Sequence, residues 1–306
     1  MNFELKLQSL EKPSPKGEIK SSQPCSNRVT GLECSIRIYH MYKYNGLLVH
    51  QSQDEQGILE VIEEKGVRSL HFGSSPKQSS MLVDEPNRLY SPYARAMMAW
   101  QLFKDNPDKL LMIGLGGGIL TKYYLYHFPE CRIKAVEYRK TVVKIARSHF
   151  GLPLDPRLKI VIDDGGQYIR KQARKQIDHH DLLIVDAFDQ EGLAEPVKQQ
   201  AFFDDCKSLL TDDGILIVNL WSTDKSLFEE IAWYLGRSFD WRVLFLPVRK
   251  RGNVIAFAFS EKMPQITLKQ LKSRAEHLKN QYQIEFPGFI RDFKKHNREI
   301  FKKTIR

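Results

Sequence analysis

The chain has 306 residues, 42% of them hydrophobic and 11% aromatic, with a formal net charge of +10. That apolar content supports a core and excludes a globally disordered chain, and no apolar run reaches the roughly 18 residues that span a bilayer. The charge is uneven: residues 262–306 hold twelve Lys/Arg against four Asp/Glu, so the remainder is nearly neutral and offers no polyanion-binding body.

The first residues, Met1-Asn-Phe-Glu-Leu-Lys6, lack the basic-then-apolar order of a signal peptide. A cytoplasmic location is therefore expected, with no membrane partner. Cys25, Cys34, Cys131 and Cys206 are widely spaced and form no CxxC pair. They read as free thiols rather than a disulfide framework or a zinc site, and no metal is expected.

In chain order, residues 1–35 are rich in Lys, Ser and Pro without periodicity and read as a flexible N-terminal segment. Residues 36–90 form a small β region. Short β-type runs at 36–40, 46–50, 58–63 and 67–72, with turn residues such as Lys65-Gly66, predict an antiparallel meander. A helix is expected over 91–103, with Pro92 in its first turn. From Lys109 the pattern becomes strand–helix alternation, with strands at 110–113, 132–137, 158–163, 181–187 and 215–220. Such βαβα order implies a parallel sheet with helices on both faces. The last two apolar runs, 241–248 and 253–259, are joined by Arg249-Lys-Arg-Gly252. That link is too short for a crossover helix, so the final strand runs antiparallel. The fold class is thus α/β, a Rossmann-like sheet of the class I methyltransferase type over residues 91–260, with the small N-terminal β-meander before it. Residues 261–306 form a basic helical C-terminal extension. Its default reading is a solvated basic helix; nucleic-acid contact is the minority reading, because no aromatic-basic interleaving supports it.

Candidate functional residues lie at strand ends, where ligands bind in open α/β sheets. The buried run Leu182-Leu-Ile-Val185 delivers Asp186 and Asp189 to such an end. The first strand ends in Gly114-Leu-Gly116-Gly-Gly118 and enters a helix; glycines there allow a tight turn and close approach of a ligand to free N–H groups. Glu137 ends the second strand, placed to accept ribose hydroxyls, and Asp164-Gly165 follow the third, placed to read adenine. Each acid alone is more often a helix cap or turn residue, but together they imply an adenosine-containing cofactor. Ile119 stands where a dinucleotide fold would place its third glycine. With the antiparallel last strand, this favours S-adenosylmethionine or its decarboxylated form over NAD. Tyr90 and Tyr93, one helical turn apart, line either an amine pocket or the core. His179-His180 read as a solvated turn.

These motifs resemble the spermidine synthase (polyamine aminopropyltransferase) family over roughly residues 59–260. The matching pieces are Gln78, Asp84-Glu85, Tyr90, Gly114–Gly118, Val136-Glu137, Asp164-Gly165, Asp186-Ala-Phe-Asp189 and Phe202-Phe203. The resemblance implies aminopropyl transfer from decarboxylated S-adenosylmethionine to a putrescine-like amine acceptor. Glu137 would hold the ribose, Asp164 the adenine amino group, and Gln78 would lie near the cofactor. Asp186 would act as base, with Asp189 helping to hold the amine. The same resemblance implies a homodimer. It also marks departures: Gly117 stands where the family carries an acid that binds the propylamine, Ser91 follows Tyr90 in place of Gln, Gln190 replaces a Pro, and Asn219-Leu-Trp221 replaces a Gln-containing turn. Two alternatives stay open, an S-adenosylmethionine-dependent small-molecule methyltransferase and a catalytically inactive nucleoside-binding relative.

Overall fold

Residues 44–175, 178–187 and 199–305 are described by a computed structural model. Residues 47–82 fold into a four-stranded antiparallel meander: β1 (Leu47–Asp54), β2 (Gly57–Glu64), β3 (Val67–His71) and β4 (Lys77–Leu82). The β2–β3 turn falls at Lys65-Gly66, both at positive φ (50° and 75°), the backbone that a two-residue hairpin needs. β4 is a correction to the expected strand set. Its Lys-Gln-Ser-Ser-Met-Leu sequence carries no apolar alternation, yet it pairs with β3 from Val67↔Leu82 to His71↔Lys77. The strand expected at 36–40 lies outside the described residues, as do Cys25 and Cys34.

A short helix, α1 (Pro92–Met97), continues as a 3-10 turn through Leu102. The alternating region follows: β5 (Lys109–Ile113), α2 (Ile119–His127), β6 (Arg132–Glu137), α3 (Lys140–Phe150), β7 (Leu158–Ile162), α4 (Gly165–Lys175), β8 (His180–Val185), α5 (Gln200–Ser208), β9 (Leu210–Trp221), α6 (Lys225–Ser238), β10 (Val243–Pro247) and β11 (Asn253–Phe259). The sheet order is β10-β11-β9-β8-β5-β6-β7. β7, β6, β5, β8 and β9 are parallel, and β11 is antiparallel to both β9 and β10. The α/β sheet with an antiparallel closing strand is therefore as the sequence implies.

Side-chain alternation puts one core on each face of this sheet. Leu110 and Met112 of β5 join α1, α2 and α3 on one side, while Leu111 and Ile113 join α4, α5 and α6 on the other. The basic C-terminal region folds as α7 (Leu268–Tyr282), α8 (Phe286–His296) and α9 (Arg298–Thr304). Thr267 starts α7 with a capping box to Gln270. Leu271, Phe286, Phe289 and Phe293 sit in the first of the two cores, where Phe293 meets Phe103 and Phe257 edge-on. His180 departs from the turn expected for it: as the first residue of β8 it is 4% exposed. No described helix is long and apolar enough to cross a membrane.

Candidate active site

The chain leaves β5 for β6 on one side and returns through β8 on the other, so the strand order reverses between β5 and β8. Open α/β sheets hold their ligands at such a switch point, beyond the carboxyl ends of the strands. Here those ends touch. The Asp186 N–H donates to the Ile113 carbonyl at 2.9 Å. A Cβ placed on Gly114, whose φ is +91°, would stand 2.3 Å from the Asp186 carbonyl oxygen. Glycine at 114 is thus required twice, by its backbone and by the neighbouring strand end.

The glycine loop is held from below by Glu137. Its Oε2 accepts the Leu115 N–H and its Oε1 the Arg139 N–H, each at 2.9 Å, and the Gly116 N–H also points to it. Burial raises the Glu137 pKa above the ordinary carboxylate value against the opposing pull of these N–H groups and the Arg139 charge. From above the loop is held by β4: Ser79 Oγ accepts the Gly117 N–H at 2.8 Å. Gln78, the residue expected near the cofactor, has its backbone carbonyl close to Gly116. Lys122, 4% exposed, donates to the Phe150 carbonyl at 2.6 Å and lies 3.0 Å from Met81 Sδ. Burial draws its pKa down to about 8. It ties α2 to the end of α3 and to β4 around the loop.

Asp164 Oδ1 accepts the Gln167 N–H at 2.8 Å and so caps α4. The Asp163 N–H reaches back to the Glu137 carbonyl at 3.3 Å, linking the second and third strand ends. A Cβ on Gly165 would meet Ile113 Cγ2 at 2.4 Å, so the glycine lets α4 lie close on β5.

A cavity opens beside this frame. It is lined by Ser79, Ser80, Ser91 and Tyr93, by the loop at Gly114 and Leu115, and by Asp186, with Met112, Ala94, Ile119 and Leu120 completing its wall. Asp186 is the focus of its polar contacts. Asn219 Nδ2 donates to Asp186 Oδ1 at 2.9 Å, and the Tyr93 hydroxyl donates to the same carboxylate. Burial pushes the Asp186 pKa up to about 6, although both hydrogen bonds favour the charged form. The same burial and the neighbouring carboxylate raise Tyr93 well above the usual phenol value.

The two tyrosines separate. Tyr93 lines the cavity, whereas Tyr90 is 42% exposed and is not among the lining residues. Arg95 fixes this helix start: it donates to the Leu89 and Tyr90 carbonyls and pairs with Glu285 at 3.0 Å, so the C-terminal region supports the cavity wall. Asp189 lies outside the described residues. Ser79 and Asn253 are site-forming residues that the sequence patterns leave unmarked.

Glycine N–H groups and a strand-end acid sit beside a carboxylate-bearing cavity, and no described group of three His, Cys, Asp or Glu side chains is placed to bind a metal. Comparisons with known proteins identify the family. A family model of the spermine/spermidine synthase domain matches residues 91–270. A polyamine aminopropyltransferase of Neisseria meningitidis is 38% identical over 240 residues, covering 78% of this chain and 89% of that protein. Human methyltransferase-like protein 13, solved in complex with SAH, superposes with a TM-score of 0.59 at 26% identity, covering 63% of this chain and 93% of that one. A spermidine synthase solved with the transition-state analogue AdoDATO gives 0.61 at 20% identity over 81% of this chain and 87% of its own, a likeness of fold. With the family model spanning more than half of its length and a close relative covering over three quarters of it, this chain belongs to the spermine/spermidine synthase family and is a transferase of the polyamine aminopropyltransferase type.

Proposed function

We propose that the protein moves an aminopropyl group from decarboxylated S-adenosylmethionine to a putrescine-like amine, with Asp186 as the base. The observation that carries this reading is the Asp186 carboxylate, half-buried at the switch point and facing a cavity whose wall is partly apolar. A free primary amine has a pKa of ~10 and is protonated at neutral pH. Handing its proton to a carboxylate at the usual value is uphill by about 6 pH units; with Asp186 at about 6 the gap narrows to about 4. Desolvation of the ammonium against Met112, Leu115, Ile119 and Leu120 works in the same direction, because burial disfavours the charged amine.

The family resemblance suggests the remaining roles. Glu137 retains free lone pairs for ribose hydroxyls while it holds the glycine loop. Asp164 stands at the third strand end for the adenine amino group, with Asp189 proposed as a second amine contact. Gln78 and Ser79 bring β4 against the nucleotide side, and Tyr93 orients the base. The sulfonium supplies a good leaving group. The amine nitrogen forms its bond to the propyl carbon as the carbon–sulfur bond breaks, methylthioadenosine leaves, and the proton taken from the ammonium passes through Asp186 to solvent. Alignment of amine, carbon and sulfur is then the main task of the chain.

Asp186→Asn tests this reading directly. Methylthioadenosine release from decarboxylated S-adenosylmethionine and putrescine should fall at least about 100-fold in kcat, as expected for loss of a general base. Binding of methylthioadenosine, followed by thermal shift, should persist. Turnover at the wild-type rate in the variant removes Asp186 from the chemistry. The likeness to human methyltransferase-like protein 13, at 26% identity, favours a second reading, methyl transfer from intact S-adenosylmethionine. S-adenosylhomocysteine in place of methylthioadenosine as product identifies it.

A further inference from the structure

β11 is buried along its whole length and β9 from Gly214 to Leu220, yet each of these buried stretches includes an asparagine: Asn219 is 3% exposed and Asn253 8%. Asparagine is disfavoured in strands, and a buried amide is costly unless hydrogen-bonded. Register explains how they meet. Asn253 lies opposite Trp221 and Ile255 opposite Asn219, so the two asparagines are diagonal neighbours on one face of the sheet. Asn253 Nδ2 donates to Asn219 Oδ1 at 3.0 Å, and Asn219 Nδ2 donates to Asp186 Oδ1 at 2.9 Å.

The direction of this chain is forced. An ionised carboxylate only accepts, so Asn219 turns its amino group to Asp186 and its oxygen outward, and Asn253 must then offer its own amino group. Tyr93 donates to the carboxylate from α1 on the other side. Among the described residues, Tyr93 and Asp186 are the ionisable side chains that line the cavity. The orientation of the base is therefore set by neutral dipoles, and no cation pairs with it in these contacts.

We propose that Asn219 and Asn253 are positioning residues, a buried amide relay by which the antiparallel closing hairpin holds the Asp186 carboxylate ionised and aimed at the amine. This inference rests on the assignment of Asp186 as base. It gives the closing hairpin a chemical task, since β11 supplies the outer end of the relay and β9 the inner end.

Steady-state kinetics with decarboxylated S-adenosylmethionine and putrescine between pH 5 and 9 test the relay. The variants are Asn219→Ala, Asn253→Ala, their double mutant, Asn253→Asp and Asp186→Asn. Asn219→Ala removes a donor to the charged form, so the acidic limb of kcat moves up by about half a pH unit or more. Its kcat drops about tenfold or more while KM for the nucleotide stays within about twofold, the signature of an interaction that matters in the transition state. Asn253→Ala shifts the limb less, and the double mutant is no worse than Asn219→Ala, because one relay has been cut twice. Asn253→Asp keeps the side-chain volume but reverses the polarity. The donor to Asn219 Oδ1 is lost and a second carboxyl enters the buried cluster, so the acidic limb moves furthest. This isosteric variant keeps the test decisive even if the alanine variants fail to fold. Wild-type limbs and kcat in Asn219→Ala and Asn253→Asp, beside an inactive Asp186→Asn, overturn the relay and leave the base standing. An active Asp186→Asn overturns both.

Discussion

Restoring an acid at position 117 tests how the site recognises the tail of its nucleotide. Gly117 does not share the positive φ of Gly114, Gly116 and Gly118, so its backbone accepts an L-residue. Space is tighter. A Cβ would stand 3.0 Å from Ser79 Cβ and 3.1 and 3.2 Å from Cδ1 and Cγ of Phe150. Phe150 is fully buried in the core beneath α3, so Ser79 and β4 must yield by a few tenths of an ångström. Such overpacking costs about 1–3 kcal/mol, and each kcal/mol lowers the melting temperature of a domain this size by about 2–4 °C. Gly117→Asp should therefore melt several degrees lower. The new carboxylate faces the end of the site where the family resemblance puts the cationic propylamine. Affinity for decarboxylated S-adenosylmethionine should rise about tenfold, a gain of about 1.4 kcal/mol, while that for intact S-adenosylmethionine, whose carboxylate is repelled, should fall. Calorimetric titration of both nucleotides measures the ratio. A folded variant with both affinities unchanged refutes the placement of the tail beside residue 117.

His180 makes stability depend on pH. Burial depresses its pKa to about 4, below the free value of ~6.5, so the fold favours the neutral ring; its contribution is complete above the unfolded value and is lost as pH falls towards 4. At pH 5 the loss is about 2 kcal/mol. Urea titrations of wild type and His180→Leu at pH 7 and 5 should show a smaller pH difference in the variant, and parallel losses contradict the assignment. Asn297, 6% exposed, accepts the Phe245 N–H at 2.7 Å and donates to the Phe245 carbonyl at 2.8 Å, pairing with edge strand β10 as a neighbouring strand would. Asn297→Ala strands both backbone groups and should cost about 2 kcal/mol or more in a urea titration; an unchanged midpoint shows that water replaces the side chain. Gly114→Ala sets a methyl 2.3 Å from the Asp186 carbonyl oxygen at a φ of +91°. It should part the two strand ends and abolish both nucleotide-induced thermal shift and turnover, whereas retained binding contradicts the close approach.

What was legible in the sequence and what was not divide along one physical line. Asp186 could be found because an unbroken Leu-Leu-Ile-Val run announces a strand buried on both faces, and the residue after such a strand enters the crevice. The glycine loop and Glu137 follow the same logic, each judged from its own neighbours in sequence. The groups that control Asp186 do not. Ser79 sits on a strand without apolar alternation, and it matters because β4 lies over the glycine loop. Asn219 and Asn253 are 34 residues apart and meet through the register of an antiparallel pair, where a slip of one residue would turn the side chains to the other face. Tyr93 rather than Tyr90 faces the carboxylate because the helix begins only at Pro92, which leaves Tyr90 outside it and removes the one-turn relation that their spacing suggests. His180 escapes the local pattern for a related reason: strand β8 begins two residues before its apolar run. Local pattern thus locates the proposed base, whereas pairing between distant segments supplies its hydrogen-bond partners. Substitutions at Asn219 and Asn253 address the level of organisation that the sequence leaves hidden.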